Sequence, residues 1–471
     1  MIKARIKFFV VMLITISIGV GIGIWQVVPP SPPSENSSDY PAYQKTLENI
    51  EKFTVEPHPT GSPEIEKVRG QIIAEIEGMG LDPIIEEHVY TTSELIDMFL
   101  VARGATREEL WESDGDWFRE TYGVDNIDDA LAMEFPFDED GNFTLKNIFV
   151  KLEAPDANGT ILFDSHYDSV DESPGAMDCM APVCAQLEAL RSQADNTNLK
   201  TNIYFLFTDA EEIGWMGTTS FVTAHPEMKD KIDIVIGMDA SGGGRVLLDT
   251  ETPGYSVAKM LVKSGARPIV SSLGITVGNY MPGAPDFIVY QQHGYPGISL
   301  TATVGHETDT PADTYQNIDR ATVWQFLHIT LALTDYVANN SIADINNSPQ
   351  EGVYFPFLPG HNILMTLPAA YALAILPCIL ALAWAILQIT RKQFKISFGV
   401  CIMGLFMVLT IASAIFLIEG NYLFSIPLLA MVITKYIQKW KSAHMISSAV
   451  SGIIALILWT PAMYFLIAAL A

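Results

Sequence analysis

Two kinds of hydrophobic pattern divide the chain. Residues 8–28 and most of residues 361–471 are long apolar runs, whereas residues 147–338 alternate short apolar runs with segments whose apolar residues recur at helical spacing. Short apolar runs are typical of buried strands, and their alternation with helices is typical of α/β domains. We therefore predict an α/β fold, with a mixed, mostly parallel sheet flanked by helices, joined to an all-α transmembrane domain.

The N-terminal apolar run is long enough to cross a membrane. Residues 8–28 carry no charge and follow Lys3, Arg5 and Lys7. At 1.5 Å per residue a helix of this length reaches roughly 31 Å, about the thickness of a bilayer core. A cleaved signal peptide has a shorter core and a cleavage site of small residues. The pattern therefore favours a transmembrane anchor over residues 1–28, followed by a linker over residues 29–44.

The C-terminal region, residues 361–471, predicts a domain of about four further membrane helices. They lie near residues 363–389, 397–418, 422–438 and 446–470. Its basic residues cluster between the first and second of these helices and around the connection from the third to the fourth. Both clusters fall on the cytoplasmic side if the N-terminus is cytoplasmic. This topology makes the lipid bilayer a partner and places the middle segment on the periplasmic, extracellular or lumenal side.

The middle segment is predicted to form one domain over residues 45–345. Residues near 91–142 differ from their surroundings, being rich in acidic and aromatic residues, and predict an inserted helical lobe. The charge of the chain is concentrated in this part: residues 29–360 contain 18 Lys/Arg and 53 Asp/Glu, a net charge of −35, against −27 for the whole chain. A surface this acidic repels phosphates, which excludes nucleic acid as a partner.

Polar residues of the kinds that bind metals follow four of the predicted strands. They are His166, the pair Glu211 and Glu212, Asp239, and His306 with Asp309, while Asp178 opens the helix after the first of these strands. The carboxyl ends of parallel strands meet at one edge of a sheet, where ligands bind. A sulfur-free set of histidine and carboxylates does not suit a structural zinc but suits two catalytic zinc ions that share a carboxylate. Two such metals acidify one water and polarise a carbonyl.

Two acidic residues of this region are candidates for other roles. Asp168 lies two residues after His166, where it can hold the second ring nitrogen of that histidine. The two glutamates lie past the end of a strand, so one can bind metal while the other takes the proton of the attacking water. A polar loop with one stray histidine would explain residues 160–178 alone, but not the matching strand ends elsewhere.

Several segments resemble the signature segments of the co-catalytic di-zinc aminopeptidases. They are Ser165-His-Tyr-Asp-Ser, Gly175-Ala-Met-Asp, Asp209-Ala-Glu-Glu-Ile-Gly and Thr310-Pro-Ala-Asp-Thr. The same superfamily contains glutamate carboxypeptidases and, with one zinc, glutaminyl cyclases. Asp239-Ala-Ser-Gly-Gly-Gly and Asp286-Phe-Ile-Val-Tyr further resemble its membrane-anchored bacterial branch. The resemblance covers roughly residues 45–335 and implies a zinc exopeptidase-like fold.

The resemblance implies a role for each matching residue. Glu211 is the general base, and Asp168 orients a ligand histidine. The implied metal ligands are His166, Asp178 (which bridges both zincs), Glu212 and Asp239. Asp313 follows the last ligand and steadies its loop.

This sequence departs from the family pattern at two positions. Cys179 stands where the family has Asp or Asn after the bridging aspartate, a position we expect to lie outside the metal ligands. The usual last ligand is a histidine in His-Thr-Pro-x-Asp-Thr, and the matching residue here is Asp309, with His306 three residues earlier. Either residue can be the last ligand, and a lost or weakened second metal is a third possibility.

These observations predict a membrane-anchored zinc metallopeptidase with two zinc ions per chain. It is expected to act as an aminopeptidase that hydrolyses N-terminal residues of peptides through a metal-bound water and the Glu211 base. One alternative is a catalytically impaired ectodomain of the same fold that binds a partner, as the changed last ligand suggests. Another is a glutaminyl cyclase, which would hold one zinc.

Overall fold

A computed structural model of the chain describes residues 2–240, 242–252, 254–278, 286–302, 308–342, 351–358, 360–393, 398–416, 418–437 and 451–459. A seven-stranded sheet forms its centre, with the strand order β1-β2-β4-β3-β5-β7-β6. The strands are β1 (Ile84–Thr91), β2 (Asn142–Leu152), β3 (Thr160–His166), β4 (Asn202–Thr208), β5 (Ile234–Asp239), β6 (Leu247–Thr252) and β7 (Gly297–Thr301).

The four central strands run parallel, and the strands at both edges run antiparallel. β4, β3, β5 and β7 pair in parallel, while β2 pairs antiparallel with β4, β1 with β2, and β6 with β7. Every residue of β3 is buried, as expected for a strand covered by helices on both faces. The prediction of a mixed, mostly parallel sheet is confirmed.

Helices cover both faces of the sheet. The larger core cluster lies between one face and helices that include α2 (Tyr40–Phe53), α3 (Pro63–Glu77), α7 (Met180–Gln193), α9 (Gly254–Ser264) and α12 (Arg320–Asn339). A second cluster lies on the other face, under α8 (Met216–Ala224) and α11 (Phe287–Gln292). The short helix α10 (Ser272–Gly278) was not among the predicted elements.

The predicted insertion is a helical lobe between β1 and β2. It consists of α4 (Thr92–Arg103), α5 (Arg107–Tyr122) and α6 (Ile127–Glu134). Thr91 and Thr106 begin α4 and α5 with capping boxes, and Gly104 and Gly123 end them in the left-handed conformation, which glycine adopts without steric cost. The lobe has its own core, and Ala210 and Met216 of the sheet domain pack into that core.

A hairpin precedes the C-terminal helices and corrects one prediction. Strands β8 (Gly352–Leu358) and β9 (His361–Thr366) pair antiparallel, and α13 (Leu367–Thr390) begins only after them. The helix predicted near residues 363–389 therefore begins at Leu367. The apolar residues Ile363, Leu364 and Met365 of β9 adjoin the apolar run of α13, so a window of average hydrophobicity does not separate the two elements.

The terminal helices are α1 (Ile2–Val27), α13, α14 (Phe398–Phe416) and α15 (Tyr422–Ile437), and residues 451–459 are also helical. Within the described residues, α13 is long and apolar enough to cross a membrane, and shorter apolar helices run through Leu13–Val27, Val400–Ile415 and Tyr422–Ile433. A Cβ placed on Gly19 would lie 2.6 Å from the Cβ of Leu456. α1 therefore packs closely against the C-terminal helical region, and the glycine permits that approach.

Candidate metal centre

The sheet brings the predicted metal ligands together at the carboxyl ends of its central strands. His166 ends β3 and Asp239 ends β5. His166 is paired in register with Thr208, the last residue of β4, so Glu211 and Glu212 follow β4 beside it. Asp178 lies two residues before α7, which follows β3. Three neighbouring strand ends thus supply the residues that the sequence pattern had placed on separate segments.

His166 is held so that one ring nitrogen faces the carboxylates. Its Nδ1 lies 3.2 Å from the backbone carbonyl oxygen of Asp168 and 3.5 Å from that residue's Oδ1. Because a carbonyl only accepts hydrogen bonds, Nδ1 carries a hydrogen, which leaves Nε2 to face the carboxylates. Nε2 lies 3.1 Å from Oδ1 of Asp178 and 4.0 Å from Oδ1 of Asp239. The orientation suits a histidine that binds a metal through Nε2.

Three overlapping groups of side chains have the spacing of metal sites. The ligand atoms of each group lie within 4.8 Å of one another, and the groups are His166, Asp178, Cys179 and Asp239; His166, Glu211 and Glu212; and Asp178, Glu212 and Asp309. Asp178 belongs to the first and the third of them. A carboxylate shared in this way can bridge two metal ions.

The carboxylates of the centre are crowded, and His166 faces them. Burial, followed by the neighbouring acidic groups Asp178 and Glu211, raises the pKa of Glu212 well above its ordinary value. Burial and the proximity of Asp178 raise the pKa of Asp239 to about 7. Among the described residues, the buried Oδ1 of Asp239 has no hydrogen-bond partner. Buried charge of this kind is costly unless a cation compensates it, so the residues fit divalent zinc.

Glu211 is buried on a turn that hydrogen bonds to Asp168 hold in place. Burial raises its pKa well above the ordinary value, although His166 opposes the shift. Its backbone N–H donates to Oδ1 of Asp168 (3.1 Å), and that of Glu212 donates to Oδ2 of Asp168 (3.2 Å). Ala210, directly before the pair, adopts the left-handed conformation with a φ of 63°. Asp168 therefore holds both the ligand histidine and the turn that presents the two glutamates.

Asp313 steadies the loop that carries Asp178. Its carboxylate accepts hydrogen bonds from the backbone N–H groups of Met177 (2.8 Å) and Asp178 (3.1 Å), and its carbonyl oxygen accepts one from Ala176 (3.3 Å). The predicted last ligand lies on the same segment as Asp313. Asp309 is described, with a φ of 56°, and its carboxylate comes close to Asp178 and Glu212, whereas His306 lies outside the described residues.

Cys179, which we expect to lie outside the metal ligands, has its Sγ within 4.8 Å of the candidate ligand atoms of His166, Asp178 and Asp239. The Sγ donates a hydrogen bond to the carbonyl oxygen of Met238 (3.4 Å), one residue before the end of β5. Cys179 faces inward because it directly precedes α7 at the buried edge where β3 and β5 end.

Behind the metal centre lies a second polar cluster that the sequence analysis missed. Arg69 of α3 donates to Oδ2 of Asp209 (3.0 Å) and to the Tyr167 hydroxyl (2.6 Å), and Thr60 donates to Oδ1 of Asp209 (2.8 Å). Arg69 is only 4% exposed. The sequence contains one indication of this cluster: Arg69 lies on the apolar face of α3, four residues after Ile65. A charge on such a face requires a buried partner.

The Peptidase family M28 model matches residues 147–334, a segment that runs from β2 into α12 and contains all the candidate metal ligands. This match confirms the predicted family resemblance for this segment. The membrane-anchored bacterial branch stays a prediction.

Curated relatives resemble part of the chain. A vacuolar membrane protease of Candida dubliniensis is 28% identical over 216 residues, 45% of this chain and 23% of that protein. Endoplasmic reticulum metallopeptidase 1 of Rattus norvegicus is 30% identical over 239 residues, 48% of this chain and 26% of that protein. The chain spans about a quarter of the length of these relatives. Among solved structures, an aminopeptidase from Aneurinibacillus sp. strain AM-1 is 14% identical, with a TM-score of 0.47 over 63% of this chain and 93% of that one.

Proposed function

We propose that the chain is a membrane-anchored, zinc-dependent aminopeptidase with two zinc ions per chain. One observation carries the proposal: two groups of ligand atoms share Asp178, and Glu211 lies beside them with a raised pKa. His166, Asp178 and Asp239 would hold one ion. Asp178, Glu212 and Asp309 would hold the other, which makes Asp309 our choice for the last ligand.

Each side chain has a task in peptide hydrolysis. When bound, the zinc ions supply Lewis acidity, which lowers the pKa of water and polarises the scissile carbonyl. Glu211 accepts the proton of the attacking water and returns it to the departing amine. Burial raises its pKa above the ordinary value for a glutamate, which favours its uptake of the proton. Asp168 keeps the His166 ring and the glutamate turn in place.

The surroundings of the centre favour peptide ends over mid-chain segments. The lobe packs against the turn that carries Glu211, because Ala210 and Met216 belong to the core of the lobe. A bulky insertion beside a site narrows the approach of an extended chain. The many carboxylates attract the protonated α-amino group of a peptide. These features support removal of N-terminal residues.

Membrane association rests on the apolar helices and on the relatives. Helix α13 has the length and hydropathy of a membrane span, and the similar proteins include a protease named for the vacuolar membrane. We propose that α1 and the C-terminal helices anchor the chain together, with the N-terminus in the cytoplasm. The peptidase domain then lies on the periplasmic, extracellular or lumenal side.

The full chain, purified in detergent, tests the proposal on aminoacyl-anilides and on short peptides with free or acetylated N-termini. Activity on free N-termini should disappear with a chelator and return with zinc, while acetylated peptides should stay intact. Glu211→Gln should fold, retain its zinc and lose about 10²–10⁴-fold in turnover. Glu153→Gln, at an exposed position of the same domain, is the matched control and should keep full activity.

Three results would contradict the proposal. Full activity of Glu211→Gln would remove the general base from the mechanism. A chain that holds no zinc and cleaves none of these substrates would be a binding ectodomain, and a chain with one zinc that cyclises N-terminal glutamine would be a glutaminyl cyclase.

A further inference from the structure

We propose that Cys179 is a sulfur ligand of the zinc ion held by His166, Asp178 and Asp239, so that this ion has four protein ligands. The inference rests on the proposed zinc centre and concerns one side chain that the family resemblance leaves outside the ligands. The two metal positions then differ. At the closed position, protein ligands, one of them sulfur, fill all four coordination sites, whereas the open position keeps one site free.

The four donor atoms lie close together, near the spacing of a tetrahedral site. Zinc binds sulfur at about 2.3 Å and nitrogen or oxygen at about 2.0–2.2 Å, so two ligand atoms of one ion lie about 3.3–3.8 Å apart. The distances from Nε2 of His166 to the nearest oxygens of Asp178 and Asp239, 3.1 and 4.0 Å, fall on either side of this range. The Cys179 sulfur lies with them inside the same 4.8 Å limit.

Burial and hydrogen bonding support the role of the sulfur. Cys179 and His166 are 0% and 2% exposed, so the thiol has no contact with bulk water. The hydrogen bond of Sγ to the Met238 carbonyl, 3.4 Å long, involves a weak donor. Next to this carbonyl, Asp239 has a buried Oδ1 without a hydrogen-bond partner among the described residues. A cation between the two residues would bind both.

The chain contains a matched control for Cys179. Cys184 is five residues further along, within α7, and is also 0% exposed. It packs in the main apolar core and belongs to none of the ligand groups found among the described residues. Cys378 and Cys401 lie in α13 and α14, far along the chain from the centre. A sulfur signal that survives the loss of Cys184 and disappears with Cys179 therefore identifies one residue.

Ligation by Cys179 has two chemical consequences. The thiol releases its proton to solvent when the metal binds, so uptake of this ion becomes more favourable as the pH rises. A fourth protein ligand also closes the first position, as in structural zinc sites, and the open coordination position that catalysis needs then lies with Asp178, Glu212 and Asp309. A sulfur ligand further favours zinc over manganese at the closed position.

Cobalt replacement tests the inference, because a thiolate bound to Co²⁺ absorbs in the near ultraviolet whereas nitrogen and oxygen ligands do not. The full chain in detergent is freed of metal, loaded with cobalt and measured by absorption and elemental analysis. Wild type and Cys184→Ser should show the band with two cobalt ions per chain. Cys179→Ser should lose the band, and its affinity for one of two zinc ions should fall by more than about tenfold.

The outcomes separate this inference from the proposed function. If wild type binds two ions and cleaves peptides but lacks the band, Cys179 is not a ligand and the enzyme stands. If Cys179→Ser keeps the band, the sulfur comes from elsewhere and the inference is wrong. If wild type binds neither zinc nor cobalt, both proposals fall. Should Cys179→Ser fail to fold, the spectra of wild type and Cys184→Ser still decide whether any thiolate binds.

Discussion

Two buried acidic clusters lie side by side behind the ends of β3 and β4, and they differ in how their charge is compensated. In the arginine cluster, formed by Thr60, Arg69, Tyr167 and Asp209, every charged oxygen has a donor. Asp209 accepts from Thr60, from Arg69 and from the backbone N–H of Lys146 (3.0 Å). In the candidate metal centre the carboxylates face one histidine and one another. The first cluster is complete with protein groups alone, whereas the second requires cations.

The pKa values express the same difference. Burial and the nearby Asp168 raise the pKa of Asp209 to about 6, with Arg69 opposing the shift. In the metal centre, burial and Asp178 raise the pKa of Asp239 to about 7. Neighbouring carboxylates raise these values and a neighbouring guanidinium lowers them. A group of buried carboxylates with too few donors is therefore a better indicator of a metal site than any one of its residues.

The largest expected effect concerns the arginine cluster. Arg69→Met should lower the free energy of unfolding by about 3–5 kcal/mol, because it leaves the buried Asp209 carboxylate without its counter-charge. Chemical unfolding of the zinc-loaded protein in detergent measures this loss. Lys67→Met, two residues earlier at an exposed position of α3, should leave stability nearly unchanged. Equal losses in both variants would show that Asp209 does not depend on Arg69.

A smaller effect is expected from metal binding. Zinc at a free concentration 100-fold above its dissociation constant should stabilise the metal-free protein by about 2.7 kcal/mol per site. In Asp239→Asn this gain should be reduced, because one ligand of the closed position is lost. Asp156→Asn, at an exposed position of the same domain, should respond to zinc like wild type. Stabilisation is measured from thermal unfolding with and without zinc.

The smallest expected effect is the pH dependence of the metal-free protein. The pKa of Asp239 is about 7 in the folded chain and starts from 3.8, so the native state binds more protons than the unfolded state between these values. Stability must then fall as the pH rises from about 4 to 7. Saturating zinc should remove or reverse this trend, because metal binding requires ionised carboxylates.

A metal-free protein whose stability rises over the same pH range would contradict the assignment of uncompensated carboxylates to the centre. Asp239→Asn is the comparison variant. Without metal, its stability should fall less steeply with rising pH than that of the wild type. In both the wild type and Asp239→Asn, the arginine cluster should contribute a weaker dependence of stability on pH, because Arg69 holds the pKa of Asp209 lower.

The sequence by itself determined the features that depend on neighbouring residues. Alternation of short apolar runs with helical segments predicted the parallel core of the sheet, and the ligand types after β3, β4 and β5 predicted a shared site, because parallel strands end at one edge. Acid-rich composition predicted the lobe. Hydrophobic length predicted α13, although the hairpin before it went unnoticed because the apolar residues of β9 adjoin the apolar run of the helix.

Only the tertiary structure decided the contacts between distant segments. Arg69 meets Asp209 across 140 residues, and no local pattern pairs an arginine with one aspartate among many. The position of the Cys179 sulfur depends on how the start of α7 packs against β5, which side-chain packing decides. Local periodicity records which face of an element is buried, whereas the identity of its buried partner depends on the whole fold.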